Sequence, residues 1–369
     1  MTEPAVTAEQ PKRRHSVFHT LRVCEVERLT DDAVAIGFDV PPQLVDDYAY
    51  SHGQHLTVRT SAAGDNVRRN YSICAPAGSG RLRIGVKRLP GGAFSEYALE
   101  RLAVGDEIDV MTPSGRFFTP LDPAQAKHYA MIAAGSGITP ILSIAATVLA
   151  VEPDSRVSLV YANRTTKSVM FLEDLEDLKD RYRGRLHLLH VMSREAMDVE
   201  LFSGRLDESR LDRILDALLP PDTVDEWFLC GPYAMVNELT TVLDKRGADP
   251  AHVHTELFHV DTAPRPAAPP VASDDPDAAE VVFSLDGRRS TVRVAADGPP
   301  IVEAALTVRS DAPYACKGGV CGTCRAKLID GEVRMDTNYA LEPDEVERGY
   351  VLTCQSHPTT DRVVLDYDA

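Results

Sequence analysis

The chain has 369 residues, with 39 Lys and Arg against 56 Asp and Glu and a formal net charge of -17. That length provides for about two or three domains of roughly 100 to 200 residues, each able to bury a core. The acidity argues against a nucleic-acid backbone as partner, because phosphate binding needs a concentrated basic face.

Residues 1–15 read as a disordered polar tail, which reaches Lys12, Arg13 and Arg14 without an apolar stretch long enough for a signal peptide. From residue 16 apolar and polar residues alternate with period two: Val34, Ile36 and Phe38, then Leu56 and Val58, then Leu82, Ile84 and Val86. Turn signals at Ala63-Gly64-Asp65 and Ala77-Gly78-Ser79-Gly80 separate these strands, so the pattern predicts a small antiparallel β-barrel over 16–121. The rhythm then changes. Strands at His128 to Ala133, Val157 to Tyr161, Leu186 to Val191, Trp227 to Leu229 and Val253 to Glu256 alternate with helical stretches, an α/β pattern over 122–261. Glycines and Pro140 interrupt the most apolar window, Tyr129 to Val151, so no membrane span is expected. Residues 262–279 have neither periodicity nor aromatic residues and read as a linker. Beyond it, 280–369 carries a hairpin signal at Asp286-Gly287 and a short helix from about Ile301, the outline of an α+β module.

The strongest chemical signal lies in that last module. Cys316, Cys321 and Cys324 are spaced C-x4-C-x2-C, and Cys354 stands apart, the arrangement in which one tight loop and one distant segment wrap a [2Fe-2S] cluster. Gly318, Gly319 and Gly322 supply curvature where backbone N–H groups must approach sulfide. A four-cysteine structural zinc is the alternative, although such sites more often pair two C-x2-C knuckles. Of the seven cysteines, Cys24, Cys74 and Cys230 remain; an odd scattered set is no disulfide framework, so a reducing cytoplasm is expected. Cys24 and Cys74 are expected to be buried apolar side chains.

A cluster takes one electron at a time, so a chain fed by a nicotinamide needs a group that accepts two and releases them singly, as flavin does. Arg69-Asn70-Tyr71-Ser72 offers a guanidinium for phosphate, an aromatic ring to cover a flavin and a hydroxyl near its reactive nitrogen. Taken alone, a strand with exposed polar residues accounts for it more readily. Pro90-Gly91-Gly92-Ala93-Phe94-Ser95 leads into a helix predicted over Glu96 to Leu102, where bare N–H groups attract pyrophosphate; a plain turn with Ser95 as N-cap is compatible with this. Gly135-Ser136-Gly137-Ile138-Thr139-Pro140 places a glycine turn between strand and helix, a dinucleotide site that departs from G-x-G-x-x-G at Pro140. Arg164 ends the next strand, where an acid would favour NAD, and so points to a 2′-phosphate and NADPH over NADH. Cys230-Gly231-Pro232 follows another strand end, within reach of a nicotinamide.

These four motifs occur in the order seen in the ferredoxin-NADP reductase superfamily, which the chain resembles over almost its whole length. The resemblance implies a multidomain fold: an antiparallel β-barrel FAD domain, an α/β parallel-sheet nicotinamide-binding domain and an α+β (β-grasp) plant-type ferredoxin domain. It implies that Arg69 and Ser72 contact FAD, that Tyr71 stacks on its ring, and that Gly92 and Ser95 form a phosphate turn. Lys87 and Phe258 would be flavin neighbours. Gly135, Gly137, Thr139, Cys230 and Gly231 would hold the nicotinamide nucleotide, with Ser72 and Cys230 beside the reacting atoms.

More narrowly, Lys317 to Cys321, Gly331 to Asp336, Asn338 to Leu341 and Leu352 to Pro358 resemble the reductase-component family of phenylacetyl-CoA epoxidases, as do Tyr161 to Thr165 and Ser203 to Asp207. Gly322 departs where a further cysteine is expected, outside the four ligands. The resemblance implies electron flow from NADPH through FAD and the cluster to a separate multi-subunit di-iron oxygenase. A reductase of a Rieske-type oxygenase, such as a steroid hydroxylase, and a redox-responsive binding module are the alternatives.

Overall fold

The computed structural model describes residues 17–63, 67–259, 278–341 and 343–369. The expected tail, the turn at Gly64-Asp65 and the linker up to residue 277 lie outside the described residues.

Six strands come first: β1 (Phe18–Thr30), β2 (Ala33–Asp39), β3 (His55–Arg59), β4 (Arg68–Ser72), β5 (Leu82–Lys87) and β6 (Glu107–Met111). They form one antiparallel sheet in the order β4-β3-β6-β1-β2-β5, and a bridge between Ile73 and Ile84 joins its two edges into a barrel. Period-two alternation turns Leu56, Val58, Ile84, Val86, Ile108 and Val110 inward, where all are buried together. Cys74 is buried as expected, but Cys24 is exposed. The register of β1 against β2 slips between Val23 and Glu25. This bulge leaves Cys24 unpaired, and alternation from the buried Leu21 and Val23 points it out of the barrel as it does Arg22.

The helix α1 (Ala93–Glu100) begins three residues before the predicted start. Gly92, in an extended conformation, is its N-cap, so the N-cap expected at Ser95 is not formed. Ser95 lies in the first turn instead, where its hydroxyl accepts from Leu89 N at 3.1 Å and donates to Gly92 O at 3.1 Å.

A parallel sheet follows, built from β7 (His128–Ala134), α2 (Ile138–Val151), β8 (Arg156–Asn163), α3 (Leu172–Arg181), β9 (Leu186–Met192), α4 (Glu208–Ala217), β10 (Glu226–Pro232), α5 (Tyr233–Lys245) and β11 (Val253–His259). The order β11-β10-β7-β8-β9 reverses direction at β7, which is where open α/β sheets bind ligands. Tyr129, Met131 and Ala133 of β7 pack into one core with α2 and α3, while Ala130 and Ile132 pack into another with α4 and α5. Burial on both faces explains the continuous apolar run of this strand. Barrel and sheet are in intimate contact: a Cβ at Gly85 would lie 2.5 Å from Thr139 Cγ2 and 2.9 Å from the Phe171 ring. Beside it Arg83, its side chain only 5% exposed, pairs with Glu25 and Glu27 of β1 and Asp174 of α3. Asp174, in the acidic first turn of α3, thus ties that helix to the barrel.

The last unit comprises β12 (Ala279–Leu285), β13 (Arg288–Val294), α6 (Ile301–Val308), β14 (Arg325–Asp330), β15 (Val333–Met335), α7 (Pro343–Glu347), β16 (Tyr350–Leu352), β17 (Ser356–Pro358) and β18 (Arg362–Asp366). Its main sheet runs β13-β12-β18-β14-β16, with β12 parallel to β18 and α6 packed across it, a β-grasp. The hairpin turns on Asp286 and Gly287, both at positive φ, as a type I′ turn requires. Ala279, the last residue of the expected linker, already belongs to β12. Among the described residues no helix is long and apolar enough to cross a membrane.

Candidate functional site

One continuous cleft of about 2680 Å³ runs between the three units. At its sheet end β7 stops at Ala134 and the chain turns through Gly135, at φ 53°, into α2. A Cβ at Gly137 would overlap the carbonyl of Cys230, and one at Gly231 would crowd Met235 and Ala134. Glycine at these positions lets the turn lie directly on β10, leaving the first N–H groups of α2 beside the cleft. Thr139 closes the turn by donating to Ser136 O at 3.0 Å. This narrow cradle fits the pyrophosphate of a dinucleotide. Gly135, Thr139 and Gly231 line the cleft, whereas Gly137 shapes it from behind.

Arg164 is exposed at the end of β8 and lines the same cleft. Arg194 N donates to Arg164 O at 2.8 Å, and Gly204 N to Met192 O at 2.7 Å, which gathers Arg194 and Arg205 on that side. Among the described residues none of the three side chains is in an ion pair, so the edge is cationic and available to an anion.

At the barrel end β4 places Arg69, Tyr71 and Ser72 along the cleft, joined by Lys87, Gly92, Ser95 and Phe258. Tyr71 packs on Phe94 with ring centroids 5.3 Å apart, while Lys87 pairs with Asp32 at 3.5 Å. Ser72 Oγ donates to Glu256 Oε2 at 3.1 Å, and Cys230 Sγ lies 3.9 Å from the same oxygen. Burial raises Glu256 to about 7, and burial together with Glu256 holds the Cys230 thiol well above its usual range. Cys230 is fully buried, so it backs the cleft instead of lining it. Sequence reasoning missed Glu256. An acid within the strand Val253–His259, at the carboxyl edge of a parallel sheet, is the signal that would have found it.

The cysteine loop turns on positive φ at Lys317, Gly319 and Gly322. Its thiols meet in two pairs, Cys316 with Cys321 and Cys324 with Cys354. Cys316 is drawn below the usual thiol range, first by the Cys321 thiol and then by N–H groups of Gly318, Val320 and Cys321. Cys354 is lowered by Cys324 and by Gln355. Gly318 N approaches Cys316 Sγ at 3.3 Å, and a Cβ at Gly319 would press on Thr337 and Gln355 at 3.1 Å. Two thiol pairs ringed by backbone donors fit a two-iron cluster with two thiolates on each iron.

The cluster domain sits against both the barrel and α5 of the parallel-sheet unit. Asn70 Nδ2 donates to Thr323 Oγ1 at 3.1 Å, Arg116 pairs with Glu345, and the rings of Tyr233 and Tyr339 meet at 5.2 Å. Cys316 and Cys321 open onto the same cleft as Tyr71 and Ser72.

Three family models match in chain order: the oxidoreductase FAD-binding domain over residues 20–118, the oxidoreductase NAD-binding domain over 131–240 and the 2Fe-2S iron-sulfur cluster binding domain over 283–359. A subunit of the 1,2-phenylacetyl-CoA epoxidase of Escherichia coli (strain K12) is 43% identical over 96% of this chain and 99% of its own length. The chain belongs to the oxygenase reductase family. The 3-ketosteroid-9-alpha-monooxygenase ferredoxin reductase component of Rhodococcus rhodochrous is 33% identical over 98% of the chain and 99% of its own length. Among solved structures, phthalate dioxygenase reductase shares the fold, with a TM-score of 0.57 and 24% identity over 95% of this chain and 98% of that one. Like its relatives in the oxygenase reductase family, the chain is an NAD(P)H-dependent oxidoreductase that moves electrons through FAD and a [2Fe-2S] cluster. The 2Fe-2S match decides between cluster and zinc in favour of the cluster.

Proposed function

We propose that this chain draws electrons from NADPH and delivers them to a separate multi-subunit di-iron oxygenase of the phenylacetyl-CoA epoxidase kind. The observation that carries the reading is the single cleft linking the cationic Arg164 edge, the Ser72–Glu256 contact and the Cys321 side of the cluster loop. The partner follows from the 43% relative, whose name specifies that epoxidase. Seven free cysteines suit a reducing cytoplasm.

In this reading the domains span 16–121, 122–261 and 280–369. Bound FAD would accept two electrons from the nicotinamide as a hydride and release them one at a time to the cluster. Arg69 holds a FAD phosphate, Gly92 and Ser95 border its pyrophosphate, Tyr71 covers the ring, and Lys87 and Phe258 flank it. Gly135, Gly137 and Thr139 shape the pyrophosphate cradle of the nucleotide, and Arg164, with Arg194 and Arg205, takes its 2′-phosphate. Cys230 and Gly231 back the nicotinamide. Burial keeps a proton on Glu256 beside the reacting rings, against the opposing pull of the hydrogen bond that its carboxyl oxygen accepts from the Ser72 hydroxyl. Cys316, Cys321, Cys324 and Cys354 hold the irons.

The second reading, a reductase for a Rieske-type oxygenase, is favoured by the 33% steroid-monooxygenase relative. Reconstituted NADPH-dependent turnover separates the two. Turnover with the oxygenase components of a phenylacetyl-CoA epoxidase supports the first, whereas failure there and success with a Rieske protein reverses the order.

A further inference from the structure

The strand that carries the flavin-side residues has a second face. In β4, Arg69 and Tyr71 pair with Val58 and Leu56, while Arg68 and Asn70 pair with Arg59 and Thr57 on the opposite side. Arg68 is 2% exposed, yet it lies on the outside of the barrel, because the cluster domain covers it. Its guanidinium donates to Ala312 O at 3.0 Å and Ser310 O at 2.8 Å and stands 4.3 Å over the Tyr314 ring. Asn70 is the neighbouring contact. Thr57 Oγ1 donates to Asn70 Oδ1 at 2.7 Å, which aims the amide at Thr323, and Thr323 Oγ1 is 3.2 Å from Cys321 Sγ.

We propose that Arg68 and Asn70 are positioning residues for the internal electron transfer: they latch the cluster loop onto the flavin-binding strand and make Cys321 the ligand that faces the incoming electron. With iron bound, Cys321 is a thiolate; the Thr323 hydroxyl then donates to its sulfur while accepting from Asn70. A hydrogen-bonded route thus runs from β4 to one cluster ligand. Arg68 supplies the clamp through two carbonyls and a ring face, a geometry a lysine ammonium cannot copy. Each transfer moves one electron, oxidising the flavin by one equivalent as one ferric ion becomes ferrous.

The inference rests on the proposed electron path, and the parent protein tests that path separately: if NADPH never reduces its cluster, the path fails before the latch is at issue. Arg68→Ala, Arg68→Lys and Asn70→Ala are made in the full chain, and flavin and iron content establish folding. Flavin bleaching by NADPH and reduction of ferricyanide, which takes electrons at the flavin, stay within about twofold of the parent, while cluster reduction slows about tenfold or more. Hydrogen exchange at residues 310–323 rises in all three variants. Asn70→Ala combined with Thr323→Val costs no more than either change alone, as two halves of one contact require. Cluster reduction at the parent rate in Arg68→Ala and Asn70→Ala overturns the proposal. So does unchanged exchange at 310–323, or a slowing of flavin bleaching in parallel with cluster reduction.

Discussion

Ser72 and Glu256 stand 184 residues apart in sequence and meet at 3.1 Å, a hydroxyl from the barrel on a carboxyl from the parallel sheet. The contact seals the seam where the cofactor-binding units meet and places a proton-holding carboxyl in a desolvated wall.

Glu256 makes the protein pH-sensitive. Burial raises its carboxyl from 4.5 to about 7, so between those values the folded chain retains a proton that the unfolded chain has lost. Stability therefore falls as pH rises through that window, and it is highest with respect to this group below it. Denaturation curves at several pH values show this slope in the parent, and Glu256→Gln removes it. The same substitution flattens the pH profile of flavin reduction around neutrality.

Gly137 is held by geometry alone. Its missing Cβ would overlap the Cys230 carbonyl, and backbone cannot rotate aside as a side chain does. Gly137→Ala lowers stability by about 2 kcal/mol through overpacking. Urea titration followed by circular dichroism measures it, and NADPH binding weakens in step because the turn is pushed off β10.

Arg164 is exposed and lies on a cationic edge of the cleft. Losing one charge-assisted bond to a 2′-phosphate costs about 2 kcal/mol, so Arg164→Ala raises the KM for NADPH by about tenfold or more. The KM for NADH moves little. A parent enzyme that prefers NADH contradicts the role assigned to this arginine.

Cys321→Ala leaves Cys316 without its paired thiol and so without a complete iron site. The purified variant loses the cluster absorption and its iron, yet retains the flavin band and NADPH-dependent ferricyanide reduction. Parallel loss of flavin reduction would show that the cluster domain is needed to build the flavin site itself.

Much of this architecture is legible in the residues because its chemistry is local. Three ligands and three glycines within Cys316–Cys324 leave little else for the loop to do, and Gly135 to Pro140 announces a turn between strand and helix. Alternation at Leu56 and Val58 marks β3 for the same reason: side-chain direction follows from neighbours in sequence. Ser95 misleads because the extended Gly92 takes the cap one turn earlier, and Cys24 because its place after the buried Val23 turns an apolar thiol outward. Glu256 and Arg68 are illegible for a different reason. Each acquires its meaning from a partner in another domain, Glu256 from Ser72 and Arg68 from carbonyls more than 240 residues away, as the separation of 244 to Ala312 shows. Two consecutive arginines on one strand are the available hint, since alternation turns them to opposite faces of the sheet.

The most direct test is rapid mixing of the oxidised protein with NADPH under anaerobic conditions, following flavin and cluster absorbance together. The account predicts that the flavin band bleaches first and that cluster absorbance then falls with its own, later rate. A flavin that bleaches while the cluster absorbance never follows would contradict it.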